Sequence, residues 1–349
     1  GRPPEPLSSY ILENGGQIGG SRESRETLGV AAVAILGDLN WDLIFRVPRL
    51  PKRGWEILSG EASLRLGGSA TNTARFLAQL GVEARLFAAL GADFLGERAQ
   101  YELQKHGVPT AFLQVVPKGT GICCALVEEN GERTLLTHRG ANSLLGPELP
   151  PGWLEGADWL HISGYALLEP SSRAAVFSAA EEARSRKIPV SLDPGMIFVH
   201  QPGLDFEELF PVDVFLPNLE EAKHMVGRKD EEGLLRGLSS FGRRVFLKLG
   251  AEGALAMEGE EVVRIPAVPV EVKDTLGAGD AFNAGVIFGN LFRASLGAQA
   301  ILGVVLGALS AAGLPPRQAL ALKLVEGIPL AEKEEASAII RDHWRDHVD

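Results

Sequence analysis

The sequence predicts an α/β protein with a doubly wound, mainly parallel sheet flanked by helices and a small β-sheet lid. Two observations carry this. From about residue 30, apolar strand-like runs alternate with helix-like runs. Such alternation builds parallel sheets covered by helices on both faces. Two stretches, 43–66 and 111–137, break the pattern with short strands, Gly/Pro turns and no helix. Hairpins clustered between βαβ units form a separate layer, which is the expected lid.

The elements follow in order. VAAVAILGDL (30–39) reads as a buried strand, and ATNTARFLAQLG (70–81) as a helix closed by Gly81. ARLFAALG (84–91) is a strand, and LGERAQYELQKHG (95–107) a helix ended by Gly107. Strands are expected at 158–164, 188–194, 212–218 and 243–250, and helices at 171–187, 219–227 and 281–292. Residues 294–316 carry no charge, a run long enough to span a bilayer. The run is rich in Ala and Gly and holds Ser295, Gln299 and Ser310, so it reads as a buried helix. The Gly303/Gly307 spacing then serves close helix packing. Residues 1–28 read as a flexible tail, 29–330 as one domain carrying the lid, and 331–349 as a charged helix with a solvated face.

The chain has 349 residues, 23% of them charged, and a net charge of −11. That balance argues against nucleic-acid or anionic-membrane partners and leaves a small anionic ligand open. Two cysteines, Cys123 and Cys124, are adjacent and would point to opposite faces of a strand, an unlikely disulfide. With no metal-ligand spacing and no signal peptide, a reduced, cytoplasmic setting is expected.

DTLGAGD (274–280) stands between a strand-like run and a helix. Its glycines allow successive N–H groups of Gly277, Ala278 and Gly279 to point at one anion, and the next helix adds its positive end. Asp280 is then either a helix cap or a general base beside the phosphate. There is no GxxxxGK[ST], and ILGDLNWD replaces a GxGxxG after the first strand, which disfavours a nicotinamide enzyme. In LGGSATNTARFLAQLG (66–81), Gly67 and Gly68 permit close approach of a ligand and Asn72 offers an amide; a plain strand-to-helix turn is the other reading. Asn40 and Asp42, beyond the first strand, suit a polyol or form an Asx turn. Asn218 and Glu221 suit metal-bound water near a polyphosphate, or a capping box. Gly250 and Gly253 suit a loop against a flat base, or a tight turn.

The double-glycine motif and DTLGAGD, in that order, resemble the two signatures of the ribokinase-like (PfkB-type) carbohydrate kinases over residues 30–325. The resemblance implies that family's α/β fold with a lid over a sugar, and ATP-dependent phosphorylation with ATP and Mg²⁺. It implies Asp280 as catalytic base and Gly277, Ala278 and Gly279 as anion hole. Asn218 and Glu221 match the element associated with Mg²⁺ (through water) and phosphate. Lys248, Gly250 and Gly253 align with the nucleotide loop, and Thr275 and Asn283 join the ATP-binding set. Asp274 and Thr275 lie where many members bind a monovalent cation, which makes K⁺ a candidate. Asn40, Asp42, Gly67, Gly68 and Asn72 align with sugar-contacting residues.

Departures leave the acceptor open. Ser69 replaces the Lys usual in ribose-specific members, Gly164 and Tyr165 stand where an acid is common, and DPGMIF lacks the Asn and Arg of DxNxR. GGSATNTA resembles nucleoside-using members, and RGAN (139–142) the ribokinase side. A nucleoside kinase and a non-catalytic sugar or nucleotide sensor remain as alternatives. Ile44, Phe45 and Ile57 are expected to pair lids in a homodimer, to cover the sugar, or to pack within the lid.

Overall fold

The computed structural model describes residues 30–129, 132–197, 207–227 and 230–346; the expected N-terminal tail lies outside them. Among the described residues the main sheet has eight strands. From one edge they are β14 (Glu261–Ile265), β13 (Ala254–Glu258), β12 (Gly242–Lys248), β11 (Val212–Phe215), β10 (Val190–Asp193), β9 (Trp159–Ser163), β1 (Ala32–Leu36) and β4 (Glu83–Phe87). The six strands from β12 to β4 are parallel, and β13 and β14 run antiparallel at the edge. All five residues of β1 are buried, as a strand covered on both faces requires.

From β1 the chain reaches β4 on one side, and later β9 on the other. The winding therefore reverses between β1 and β9. A crevice opens at such a switch point, beyond the carboxyl ends of the strands. Helices cover both faces: α1 (Ser69–Gln79), α2 (Phe94–Lys105), α3 (Pro170–Arg186), α4 (Leu219–Val226), α5 (Glu231–Leu238), α6 (Ala278–Leu291), α7 (Leu296–Ala311), α8 (Gln318–Glu326) and α9 (Lys333–His343). Ala336, Ile339 and Ile340 of α9 are buried, and Trp344 meets Phe288 edge-on at 6.3 Å.

Two expected strands differ in detail. The run 30–39 ends as a strand at Leu36, and the chain turns at Asp38, whose carbonyl accepts bonds from the Thr71 amide and hydroxyl. The run 84–91 divides into β4 and β5 (Ala89–Gly91), which pairs with β6 (Gln114–Val116) in a two-stranded sheet. Continuous apolar sequence could not reveal either break, because both sides of it are buried.

The small sheet orders β3 (Glu61–Gly67), β2 (Asn40–Val47), β7 (Gly121–Glu128) and β8 (Arg133–His138). Asp42 pairs with Arg65 on one side and Cys123 on the other, so all three share a face. Both cysteines are free. Ile44 is buried and Phe45 and Ile57 are half-buried, whereas Leu58 and Leu136 are exposed.

The uncharged run forms α7, packed on α6. Among the described residues no helix is long and apolar enough to cross a membrane. A Cβ placed on Gly285 would lie 2.4 Å from the Leu302 carbonyl oxygen, and one on Gly303 would lie 2.9 Å from the Phe282 ring. Bare glycines thus let the two helices touch backbone to backbone. Gly285→Ala gains about 1 kcal/mol of helix propensity. It also pushes against main chain that no rotamer change can move, and overpacking costs about 1–3 kcal/mol. We expect a net loss of stability, read as a lower urea midpoint at unchanged slope; an equal or higher midpoint would contradict this packing.

Candidate active site

Asp280 is the third residue of α6, whose N-cap is Gly277 in the left-handed region (φ 79°). No side chain caps this helix, so Asp280 is not its cap. Its carboxylate instead accepts from Ser69 Oγ (2.8 Å) and Asn72 Nδ2 (2.9 Å), both at the start of α1. Burial pushes Asp280 up to about 7, with Asn72 and Ser69 opposing the rise and Asp193 adding to it. In the loop before it, the Ala278 amide donates to the Thr275 carbonyl at 3.3 Å. A Cβ on Gly279 would stand 3.8 Å from Lys248 Nζ.

Lys248 ends β12 and points inward, towards the charge cluster rather than out along the following loop. Its ammonium donates to Asp193 Oδ2 (2.8 Å) and Asn283 Oδ1 (3.2 Å), and Asn283 Nδ2 donates back to Asp193. Asn283, expected among the ATP-binding residues, is fully buried in this cluster. Although burial opposes its charge, Lys248 is held above its ordinary range by Asp193 and Glu221. Asp193 is likewise buried, yet Lys248, Asn283 and the Gly195 amide hold it below the usual carboxylate range.

Asn218 and Glu221 form a complete capping box on α4. Asn218 Oδ1 accepts from the Glu221 amide (2.9 Å), and Glu221 Oε2 accepts from the Asn218 amide (2.8 Å). Glu221 is pushed up to about 7 by burial and then by Asp193. One lysine therefore faces three carboxyl groups, those of Asp193, Glu221 and Asp280. Among the described residues no group of three His, Cys, Asp or Glu side chains could cage a metal. This uncompensated charge fits a divalent cation brought on a polyphosphate and held through water.

The other end of the crevice lies beyond β1 and β9. Asn142 Nδ2 donates to Asn40 Oδ1 (2.9 Å) and to the Leu39 carbonyl (3.0 Å), and its own Oδ1 accepts from the Leu39 amide. Arg139 donates to Asp38 from Nη1 (3.0 Å) and Nη2 (3.4 Å). Burial raises Asp38 above the usual range, against the Arg139 charge. A Cβ on Gly67 would overlap Asp42 Oδ2 at 2.0 Å, and one on Gly68 (φ 98°) would meet the Asp38 carbonyl at 2.5 Å. The double glycine thus admits the chain's own acids as closely as it would a ligand. Asp42, Asn72 and Gly277 border a cavity of about 850 Å³, with Arg65 and Arg75. Asp42 is pushed up to about 7 by burial and by Asp274, with Arg65 and Arg75 opposing.

Four loop positions stand apart. Asp274 accepts from the Leu276 amide (2.9 Å) and from Arg65 Nη1 (3.0 Å), so a guanidinium already faces the carboxylate expected to hold a monovalent cation. Thr275 is exposed. Gly250 (φ 61°) faces open space, whereas a Cβ on Gly253 (φ 92°) would strike the Ile265 carbonyl at 2.1 Å, which makes Gly253 a packed turn. Sequence reasoning missed Asp38, Asp193 and Arg139 as members of the site. The only local signal for the two acids is a carboxylate directly after an apolar run, in AILGD and VSLDP.

A family model described as pfkB family carbohydrate kinase matches residues 30–313. The chain belongs to the pfkB carbohydrate kinase family. Its members are ATP-dependent carbohydrate kinases. Residues of this pfkB chain are 33% identical, over 303 positions, to an ATP-dependent ribose-1-phosphate kinase of Halopiger xanaduensis, covering 83% of this chain and 97% of that one. A ribokinase of Lactococcus lactis is 27% identical over 80% of this chain and 90% of its own. Among solved structures, adenosine kinase from Sinorhizobium meliloti superposes with a TM-score of 0.74 at 26% identity, over 88% of this chain and 98% of that one. Arabidopsis thaliana ribokinase complexed with ribose and ATP gives 0.71 at 23% identity over 84% and 98%, which shows the shared fold.

Four acids carry raised values in the folded protein, Asp38 among them. Asp42, Glu221 and Asp280 titrate near 7 there, against 3.8 or 4.5 ordinarily. Between about pH 4 and pH 7 the folded chain therefore holds protons that the unfolded chain has released. The contribution of these three acids to stability therefore falls as pH rises through this window, while buried His161, held down to about 4, acts in the opposite direction. Asp280→Asn removes one such acid, so its melting temperature should gain on that of the parent between pH 5 and pH 8. Parallel pH curves for the two proteins would contradict the burial assigned to Asp280.

Proposed function

We propose that this kinase transfers the γ-phosphoryl group of ATP to a primary hydroxyl of a sugar, with Asp280 as general base. The observation that carries this is the Asp280 carboxylate itself. Ser69 and Asn72 fix its orientation, burial brings its proton affinity near neutrality, and Gly277 opens the helix end beside it. A carboxylate accepting two hydrogen bonds keeps lone pairs for a third donor. The acceptor O–H donates there, its proton passes to Asp280, and the oxygen attacks phosphorus in line as ADP leaves.

The amides at Gly277, Ala278 and Gly279 and the positive end of α6 take up charge on the transferred group. Lys248 uses two of its three N–H bonds on Asp193 and Asn283. Its third is available to the phosphoryl oxygens. Mg²⁺, arriving with ATP, would neutralise the polyphosphate. Glu221 and Asn218 would orient its waters, and Gly250 would leave room for the base. The small sheet is read as a lid whose closure excludes water. The name of the 33% identical relative supports a pentose derivative as acceptor.

Asp280→Asn should bind ATP nearly normally and lose about 10²–10⁴-fold in kcat. Near-normal turnover would rule out the base assignment. For the parent protein kcat/KM should fall below about pH 7, as Asp280 takes up its proton in the free enzyme; a flat profile to pH 5.5 would count against it. Arg65 already supplies positive charge to Asp274. Replacing K⁺ by a bulky organic cation should therefore leave turnover unchanged, and a collapse of activity would restore Asp274 as a cation ligand. An ADP-release assay over sugars, sugar phosphates and nucleosides separates a kinase from a sensor that binds without turnover.

A further inference from the structure

Resting on the kinase reading, we propose that Arg139 contacts the acceptor directly and selects one that already carries a phosphate group. The argument begins with what Arg139 lacks. A guanidinium has five N–H donors and no acceptor. Two of them meet Asp38. Nε is buried with no hydrogen-bond partner, and the nearest other carboxylate oxygen, on Glu169, is 3.8 Å away. The side chain is only 15% exposed. Buried donors left without acceptors are costly, so a buried fork with open positions marks a place for something that accepts.

Its location identifies that something as part of the acceptor. Asp38 follows β1, and Glu169 follows the turn after β9, so the guanidinium lies between the two strand ends where the winding reverses. The residue's backbone is locked to the acceptor side of the site. A Cβ on Gly121 would lie 2.2 Å from Asn40 Oδ1 and 2.9 Å from the Arg139 carbonyl oxygen, and Asn142 donates to both of those oxygens. Nucleotide-facing Lys248 belongs to a different strand end, two strands beyond β10.

The chemistry favours phosphate over hydroxyl. Neutral hydroxyls find both donors and acceptors in the amide of Asn72 and the carboxyl of Asp42. Arg139 offers donors alone, in the planar fork that matches phosphate oxygens. The turn after β9, Ser163–Gly164–Tyr165, carries no acid, and its Tyr165 lies close enough to Asp38 to feel its charge. Asp38 holds the guanidinium through Nη1 and Nη2, leaving Nε and the other N–H positions, while Glu169, at the greater distance, is half-exposed and screened.

The test compares neutral and phosphorylated forms of one acceptor, ribose with ribose 1-phosphate and fructose with fructose 6-phosphate. Wild-type protein should favour a phosphorylated form by about tenfold or more in kcat/KM. Arg139→Met should erase that preference mainly through the KM of the phosphorylated acceptor, Arg139→Lys should restore part of it, and the KM for ATP should not move. Since Arg139→Met leaves Asp38 unpaired, the double variant Asp38→Asn with Arg139→Gln keeps a neutral hydrogen-bonded pair, and its melting temperature checks folding. Equal activity of wild type on neutral and phosphorylated forms overturns the inference and leaves the kinase reading standing. An equal loss on both forms in every Arg139 variant also overturns it, making Arg139 a brace for Asp38. Absence of transfer to any acceptor defeats the kinase reading itself.

Discussion

One carboxylate joins two distant parts of this chain. Asp280 accepts from Ser69, 211 positions away, and from Asn72, 208 positions away. The bond to Ser69 requires the start of α1 to meet the start of α6. That meeting depends on Gly68, whose left-handed backbone lets the chain pass the Asp38 carbonyl, and on Gly277, which opens α6 without a side-chain cap. It also depends on α7, whose glycines let α6 sit deep enough against the sheet. If any of these contacts is filled by a side chain, the carboxylate moves. The geometry around this carboxylate is thus set by places where side chains are missing.

Around Asp280 the electrostatics follow from burial more than from pairing. Three carboxyl groups share one ammonium, and two of them sit near neutrality because water is excluded. Asp193 escapes this because Lys248, Asn283 and the Gly195 amide all donate to it. The site holds an acid kept charged beside acids kept poised, a division of labour produced by the Lys248 charge together with the hydrogen bonds on Asp193. Such a cluster is unfavourable in the free protein, and a cationic ligand relieves it.

The fold was legible because its signals are periodic. Alternating apolar runs named the parallel sheet, and the interrupted segments named the small one. The parts of the site built from contiguous residues were legible too: GGSATN and DTLGAGD each fit within one turn. What sequence could not reveal is what register assembles. Asp193 and Lys248 become neighbours because β10, β11 and β12 lie side by side; Asp38 and Arg139 because 139–142 folds back over the end of β1. Single residues on separate strands carry no spacing to read. The capping reading of Asn218 and Glu221 and the functional one also proved compatible, since one oxygen of Glu221 caps while the residue still faces the charge cluster. For Asp280 the observed N-cap at Gly277 removes the capping reading, and the general base is what the proposal adds.

Asn40 and Asp42 belong to β2, which leaves the main sheet three residues after β1 ends. Asp280 and Lys248 belong to the main α/β layers. On the proposed reading, the β2 groups that would contact an acceptor and the groups that would move a phosphoryl therefore have different foundations within one chain. Substitutions on β2, β3 and β7 can reshape one surface without shifting the other. On that reading, a changed lid would alter which acceptor fits while Asp280 and Lys248 keep their footing.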